Sequence, residues 1–114
     1  MSSPQLLAVG VGELEIAASD AHSRLSRGIA LLVDVREPEE LEDGFVLGSV
    51  NIPLGDVSGQ VGLLPADLDL LFFCRSGKRS LQATELARAS GQERAYSVAG
   101  GMTAWFKAGL PVAR

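Results

Sequence analysis

The sequence predicts an α/β domain built on a parallel sheet of about five strands, and three observations carry that reading. Two runs, IALLVDV (29–35) and LDLLFFC (68–74), are short and apolar without in/out alternation, as strands covered on both faces are. Helical stretches lie between the strand candidates, which implies right-handed crossovers. Each such stretch closes on a glycine, at Gly28, Gly91 or Gly109, where a left-handed cap belongs.

Taken in order, residues 1–12 are a polar, flexible lead-in, expected to be loosely held, and residues 13–114 form the domain. Leu14 to Ala17 is a weak strand candidate, followed by a helix over Ser19 to Arg27 and the first strong strand, 29–35. The acidic run Glu37, Glu39, Glu40, Glu42 and Asp43 reads as a solvated helical turn begun by Pro38. Ser49 to Ile52 is a second weak strand, bounded by Asn51 and Pro53, and the stretch from Pro53 to Asp69 is compact. After the strand 68–74 comes a helix over Ser80 to Ser90, with Ala83, Leu86, Ala87 and Ser90 spaced to lie on the sheet. Ala95 to Val98 is a third weak strand candidate and the last of the five. Gly100-Gly101 turns the chain into a helix over Met102 to Ala108, on which Trp105 and Phe106 are expected to pack against the sheet.

Composition bounds the function. A chain of 114 residues, 46% hydrophobic and with no long uncharged apolar run, reads as one soluble domain able to bury a core without staples. Fourteen acidic against ten basic residues give a net charge of -4, which argues against nucleic acid and anionic membrane as partners. One cysteine forms no intramolecular disulfide, and one thiol with one histidine makes no structural zinc site. The N-terminal MSSPQLLAVGVG lacks the features of a secretory signal, so a cytoplasmic location is expected, where a lone thiol stays reduced. His22, on a surface helix, reads as an exposed polar residue and not as a base.

Chemistry concentrates in FFCRSGKRS (72–80), where a strand runs through Cys74 into a helix. Ligands of parallel sheets bind at the carboxyl ends of strands, and Cys74 stands at one. A helix start offers unpaired N–H groups and the positive end of the macrodipole, and Gly77 permits a tight turn of amides around an anion. Three of the ten basic residues, Arg75, Lys78 and Arg79, fall among six positions, which makes a focused anion site in an acidic chain. The same field lowers a thiol pKa. A fall from ~8.5 to ~6 raises the thiolate fraction about 30-fold at neutral pH, yet lost nucleophilicity returns all but about two- to threefold. The loop's larger contribution is therefore to hold an anionic substrate and stabilise the leaving group. The bland alternative, a small buried hydrophobe at a strand end, fits the position of Cys74 but not the cations, glycine and serine after it, which point to an electropositive setting with the sulfur open to solvent.

Four segments, LLVDVREPEE (31–40), GSVNIP (48–53), FFCRSGKRS (72–80) and VAGGMTAWFKAGLPV (98–112), resemble those of single-domain rhodaneses in order and approximate spacing. The resemblance implies a three-layer α/β/α fold with a five-stranded parallel sheet in the order 3-2-4-5-1. It implies a sulfurtransferase in which Cys74 takes the outer sulfur of thiosulfate or a related small anionic donor. The resulting persulfide passes its sulfur to cyanide, a thiol or a sulfur-relay protein, without metal or organic cofactor. Arg75, Ser76, Gly77, Lys78 and Arg79 would bind the donor. Asp34, Arg36 and Ser80 would support the site, although a local ion pair at a strand end accounts for Asp34 and Arg36 equally well. Many relatives carry histidine at Phe45 and proline at Leu47, a departure that bears on acceptor preference.

Two rivals remain beside an autonomous enzyme. A phosphatase or arsenate reductase uses the same helix-terminus physics, but the dual-specificity phosphatases place five residues between cysteine and arginine, and Cys74 and Arg79 enclose four. A carrier fed by a partner protein, or a binding module, would keep the same loop residues.

Overall fold

The computed structural model describes residues 13–114, so the expected lead-in over 1–12 lies outside the described residues. Five strands form one parallel sheet: β1 (Glu15–Ile16), β2 (Ala30–Asp34), β3 (Val50–Asn51), β4 (Asp69–Phe73) and β5 (Ala95–Val98). Their order is β1-β5-β4-β2-β3, the expected 3-2-4-5-1 read from the other edge. Central β4 pairs along its length with β2, Ala30 opposite Asp69 through Asp34 opposite Phe73. Of the three weak strand candidates, Ala95–Val98 forms in full, while the other two shrink to two residues each. Both lie at an edge, paired on one side only, with Ala17 already capping a helix after β1 and Pro53 lacking an N–H after β3.

The helices are α1 (Ala18–Ser26), α2 (Val57–Gln60), α3 (Lys78–Ala89) and α4 (Gly101–Lys107), joined by short 3-10 turns that include Pro38–Asp43. Gly28, Gly91 and Gly109 take positive φ after α1, α3 and α4, as expected of C-terminal caps. The parity of β4 explains its unbroken apolar run. Leu70, Phe72 and Cys74 share one core with Val33, Ala83 and Ala87, while Leu71 and Phe73 share another with Ala21 and Trp105. Each face of the sheet is covered by helix, so alternation has no polar side to show.

Three expected faces are corrected. On α3 the buried stripe is Ser80, Ala83, Thr84 and Ala87, spaced three and four apart, while Leu86 and Ser90 are exposed. The stripe is made of small residues, two alanines with a serine and a threonine whose hydroxyls are hydrogen-bonded, and the larger Leu86 stays outside it. Trp105 is fully buried, edge-on to Phe73 with its indole N–H on the carbonyl of Pro111, but Phe106 is exposed because it follows by one residue and points away. His22 is half-buried rather than free, its ring edge-on to Trp105 at 5.8 Å.

Candidate active site

The loop between β4 and α3 is shorter than the sequence suggests. The helix begins at Lys78, so only Cys74 to Gly77 lie outside regular structure, and Lys78 and Arg79 occupy the first helical turn. Gly77 caps that turn at φ 103, which L side chains rarely adopt, and a Cβ there would stand 3.2 Å from the Gly100 nitrogen. A second constraint comes from α4. The Met102 N–H donates to the Cys74 carbonyl at 2.8 Å, and the Thr103 N–H and hydroxyl donate to the Arg75 carbonyl at 3.1 and 3.2 Å. Gly101 makes this docking possible, because a Cβ on it would fall 2.2 Å from the Cys74 carbonyl oxygen. The start of one helix thus grips the loop that begins another.

Inside the loop the donors converge on sulfur. The Gly77 N–H donates to Cys74 Sγ at 3.1 Å and the Ser80 N–H at 3.4 Å, while the thiol itself donates to Ser80 Oγ at 3.4 Å. Burial pushes the Cys74 thiol up. The Ser80 hydroxyl and the N–H groups of Ser80, Gly77 and Ser76 together outweigh it, and the thiol lies below its ordinary range. The downward shift comes from amides and a hydroxyl more than from the loop cations. One expectation fails here: Cys74 is 1% exposed, not open to solvent. It continues the β4 face that packs under α3, and the short loop closes over it. The burial is nonetheless polar on the loop side, where two N–H groups and a hydroxyl face Sγ.

The cations are not all free to meet a substrate. Arg79 makes a two-point pair with Glu40, at 2.7 and 3.0 Å, and Arg75 reaches Asp43 at 3.7 Å. The Arg79 hydrogen bond holds the Glu40 carboxyl down at about 2, against the opposing effect of burial. The acidic turn is solvated as its composition suggests, with Glu37, Glu39, Glu42 and Asp43 exposed, but Glu40 turns inward and neutralises Arg79. Asp34 and Arg36 are both buried, and the Arg36 guanidinium donates to the Asp34 carboxylate, at 2.8 Å from Nη2, and to the carbonyls of Glu40 and Gly44. Asn51 donates to the carbonyls of Asp34 and Arg36, which ties β3 to the same knot. Breaking one partner of such a buried pair costs about 3–5 kcal/mol. This knot carries the turn that holds Glu40 against Arg79, so Asp34 and Arg36 reach the loop through two intermediates.

Sequence reasoning missed Glu40 as a partner of the loop, Gly101 and Thr103 as its clamp, and the buried Ser97, whose hydroxyl is 2.8 Å from that of Ser80. Only Gly101 left a trace, in the Gly100-Gly101 pair. Phe45 forms an antiparallel bridge with Ala113, which pins the loop after the acidic turn to the C-terminal segment. A groove of about 370 Å³ lies on the α1–α4 side, bounded by His22, Leu25, Leu47, Trp105 and Val112, and no residue of the cysteine loop lines it. Among the described residues no group of acidic, histidine or cysteine side chains is placed to hold a metal ion, and no helix is long and apolar enough to cross a membrane.

A parallel sheet with a cysteine cradled between strand and helix defines a class of α/β domains with a thiol at an anion-binding helix start, and the comparisons say which member of that class this is. The model of the rhodanese-like domain family matches residues 17–108, and the chain belongs to that family. Human thiosulfate:glutathione sulfurtransferase is 34% identical over 110 residues, covering 84% of this chain and 96% of the relative. A sulfurtransferase of Allochromatium vinosum is 35% identical over 82 residues, 72% of this chain and 77% of the relative. The crystal structure of a rhodanese-related protein from Thermoplasma volcanium superposes with a TM-score of 0.78 at 30% identity, covering 87% of this chain and 96% of that one. The chain is thus a member of a sulfurtransferase family with the rhodanese fold.

Proposed function

We propose that the protein transfers sulfane sulfur through a persulfide on Cys74, with thiosulfate or a related anion as donor. The observation that supports this most directly is the convergence of the Gly77 and Ser80 N–H groups on Sγ, at 3.1 and 3.4 Å. The Cys74 thiolate attacks the outer sulfur of thiosulfate; a new S–S bond forms, the old one breaks, and its electron pair leaves with sulfite. The terminal sulfur of the persulfide is anionic, and the same amides stabilise it. An acceptor thiolate then attacks that outer sulfur, forms its own persulfide and returns the Cys74 thiolate. Charge is conserved in both steps, and no cofactor takes part. The human relative named for thiosulfate and glutathione supports this pairing of donor and thiol acceptor.

In this reading Cys74 is the nucleophile, Ser76, Gly77 and Ser80 supply donors to sulfur, and Arg75 and Lys78 add positive field at the rim. Arg79, assigned to the donor by resemblance, acts by fixing the loop against Glu40. Asp34 and Arg36 hold the turn that bears Glu40. A nucleophilic lone thiol suits a reducing compartment, which favours the cytoplasm.

Incubation with thiosulfate, followed by intact-mass measurement, should add one sulfur that reductant removes and that Cys74→Ser abolishes. No added mass would rule out thiosulfate as a direct donor and favour a carrier fed by a partner protein.

A further inference from the structure

Ser97 lies on β5, fully buried, with its hydroxyl 2.8 Å from Ser80 Oγ, and the chemistry above leaves it without a role. Counting protons gives it one. Ser80 Oγ carries a single proton and has three neighbours that could receive it: the Gly77 carbonyl at 3.1 Å, Cys74 Sγ at 3.4 Å and Ser97 Oγ at 2.8 Å. While Cys74 is a thiol, its S–H donates to Ser80 Oγ, and Ser80 donates onward to Gly77 or Ser97. Once the thiol proton has left to solvent base, the Ser80 hydroxyl must turn toward the sulfur. It then abandons its other acceptors, and its own oxygen needs a donor to keep the buried pair satisfied. The nearest is the Ser97 O–H.

We propose that Ser97 is a positioning residue for the sulfur site, its hydroxyl donating to Ser80 Oγ so that Ser80 donates to the anionic sulfur of Cys74. The two hydroxyls and the sulfur form a chain whose proton direction reverses with ionisation, and in the persulfide state the same direction persists. Cooperative polarisation along such a chain strengthens the last bond, the one to sulfur. The charged group that acts on Cys74 across the loop is Arg79, which is paired with Glu40 and itself feels Asp34, and none of these contacts Ser97. The role of Ser97 in turnover rests on the persulfide reading, whereas its effect on thiolate stability does not.

A double-substitution cycle tests the proposal, read as the pH midpoint for alkylation of Cys74 by iodoacetamide. Ser97→Ala should raise the midpoint by about half to one pH unit, a three- to tenfold loss of thiolate below it. In a Ser80→Ala background the same change should add nothing, because the hydroxyl through which Ser97 acts is gone. An unchanged midpoint in Ser97→Ala, or an equal shift in both backgrounds, would overturn the proposal. Should Ser97→Ala fail to fold by thermal melting, Ser97→Thr retains the hydroxyl and should keep the unsubstituted midpoint; a raised one counts against the proposal. Alkylation needs no sulfur donor, so absence of a thiosulfate-derived mass would sink the persulfide reading and leave these midpoints to decide Ser97 alone.

Discussion

At the residue scale, the pair between Arg79 and Glu40 decides how the loop's charge is used. The sequence shows three cations together and an acidic run 32 or more residues earlier, but nothing in either motif says that they meet. That contact depends on register between β2 and β4 and on the Asp34–Arg36 knot, which are tertiary facts. The Glu40 carboxyl is held at about 2 by the Arg79 guanidinium, against an unfolded value near ~4.3. A lowered carboxyl pKa stabilises the fold above the unfolded value, and the gain disappears as pH falls through the folded one. Both side chains are partly exposed, so the pair contributes no more than about 1 kcal/mol. Glu40→Gln should therefore melt about 4 °C below the parent at pH 7, with the gap closing as pH falls from about 4 toward 2. A gap that persists undiminished at pH 2 would assign the loss to packing and not to charge.

At the element scale, the legible parts were those set by local chemistry. Glycine caps closed three helices within a residue or so of the expected ends, and the apolar runs marked both central strands. The start of α3 was misread because Lys78 and Arg79 resemble loop residues by charge, whereas the left-handed Gly77 had already begun the helix. The contribution of α4 was hidden for a different reason. Its Met102 and Thr103 N–H groups are bonded to carbonyls of a loop 28 residues away, and a backbone contact leaves no side-chain signature. Gly101 is the exception, since only a missing Cβ lets the two backbones meet. Gly101→Ala should push α4 off the loop and disorder the amides around Sγ. The expected result is a raised alkylation midpoint for Cys74 and at least a tenfold loss of any sulfur-transfer rate, with the chain still folded by circular dichroism. A midpoint and rate both like the parent's would show that the loop holds its shape without α4.

At the scale of the whole molecule, the question is what an approaching anion meets. The fold gathers at one end of the sheet the loop cations and the segment from Asp34 to Asp43, in all four cations and six carboxylates. The local balance is acidic, like the net charge of -4, so the focused positive site suggested by the motif is cancelled by residues folded in from elsewhere. Binding of a small dianion must then rest on short-range amide donors, while the long-range field repels it. Salt screens the long-range part first, with a Debye length of about 10 Å at 0.1 M. Raising ionic strength with an inert salt should therefore increase kcat/KM for thiosulfate, by about twofold between 20 and 200 mM, where a cationic funnel would lose activity. The sign can be reversed by design. Glu39, Glu42 and Asp43 are exposed and lie outside the Arg79 pair, so changing all three to their amides leaves the local excess positive and removes only the long, exposed contact of Asp43 with Arg75. That triple variant should lose activity as salt rises. A parent whose kcat/KM falls steeply with salt would mean that the rim cations steer the donor after all, with Asp43 and Glu40 too weakly engaged to mask them.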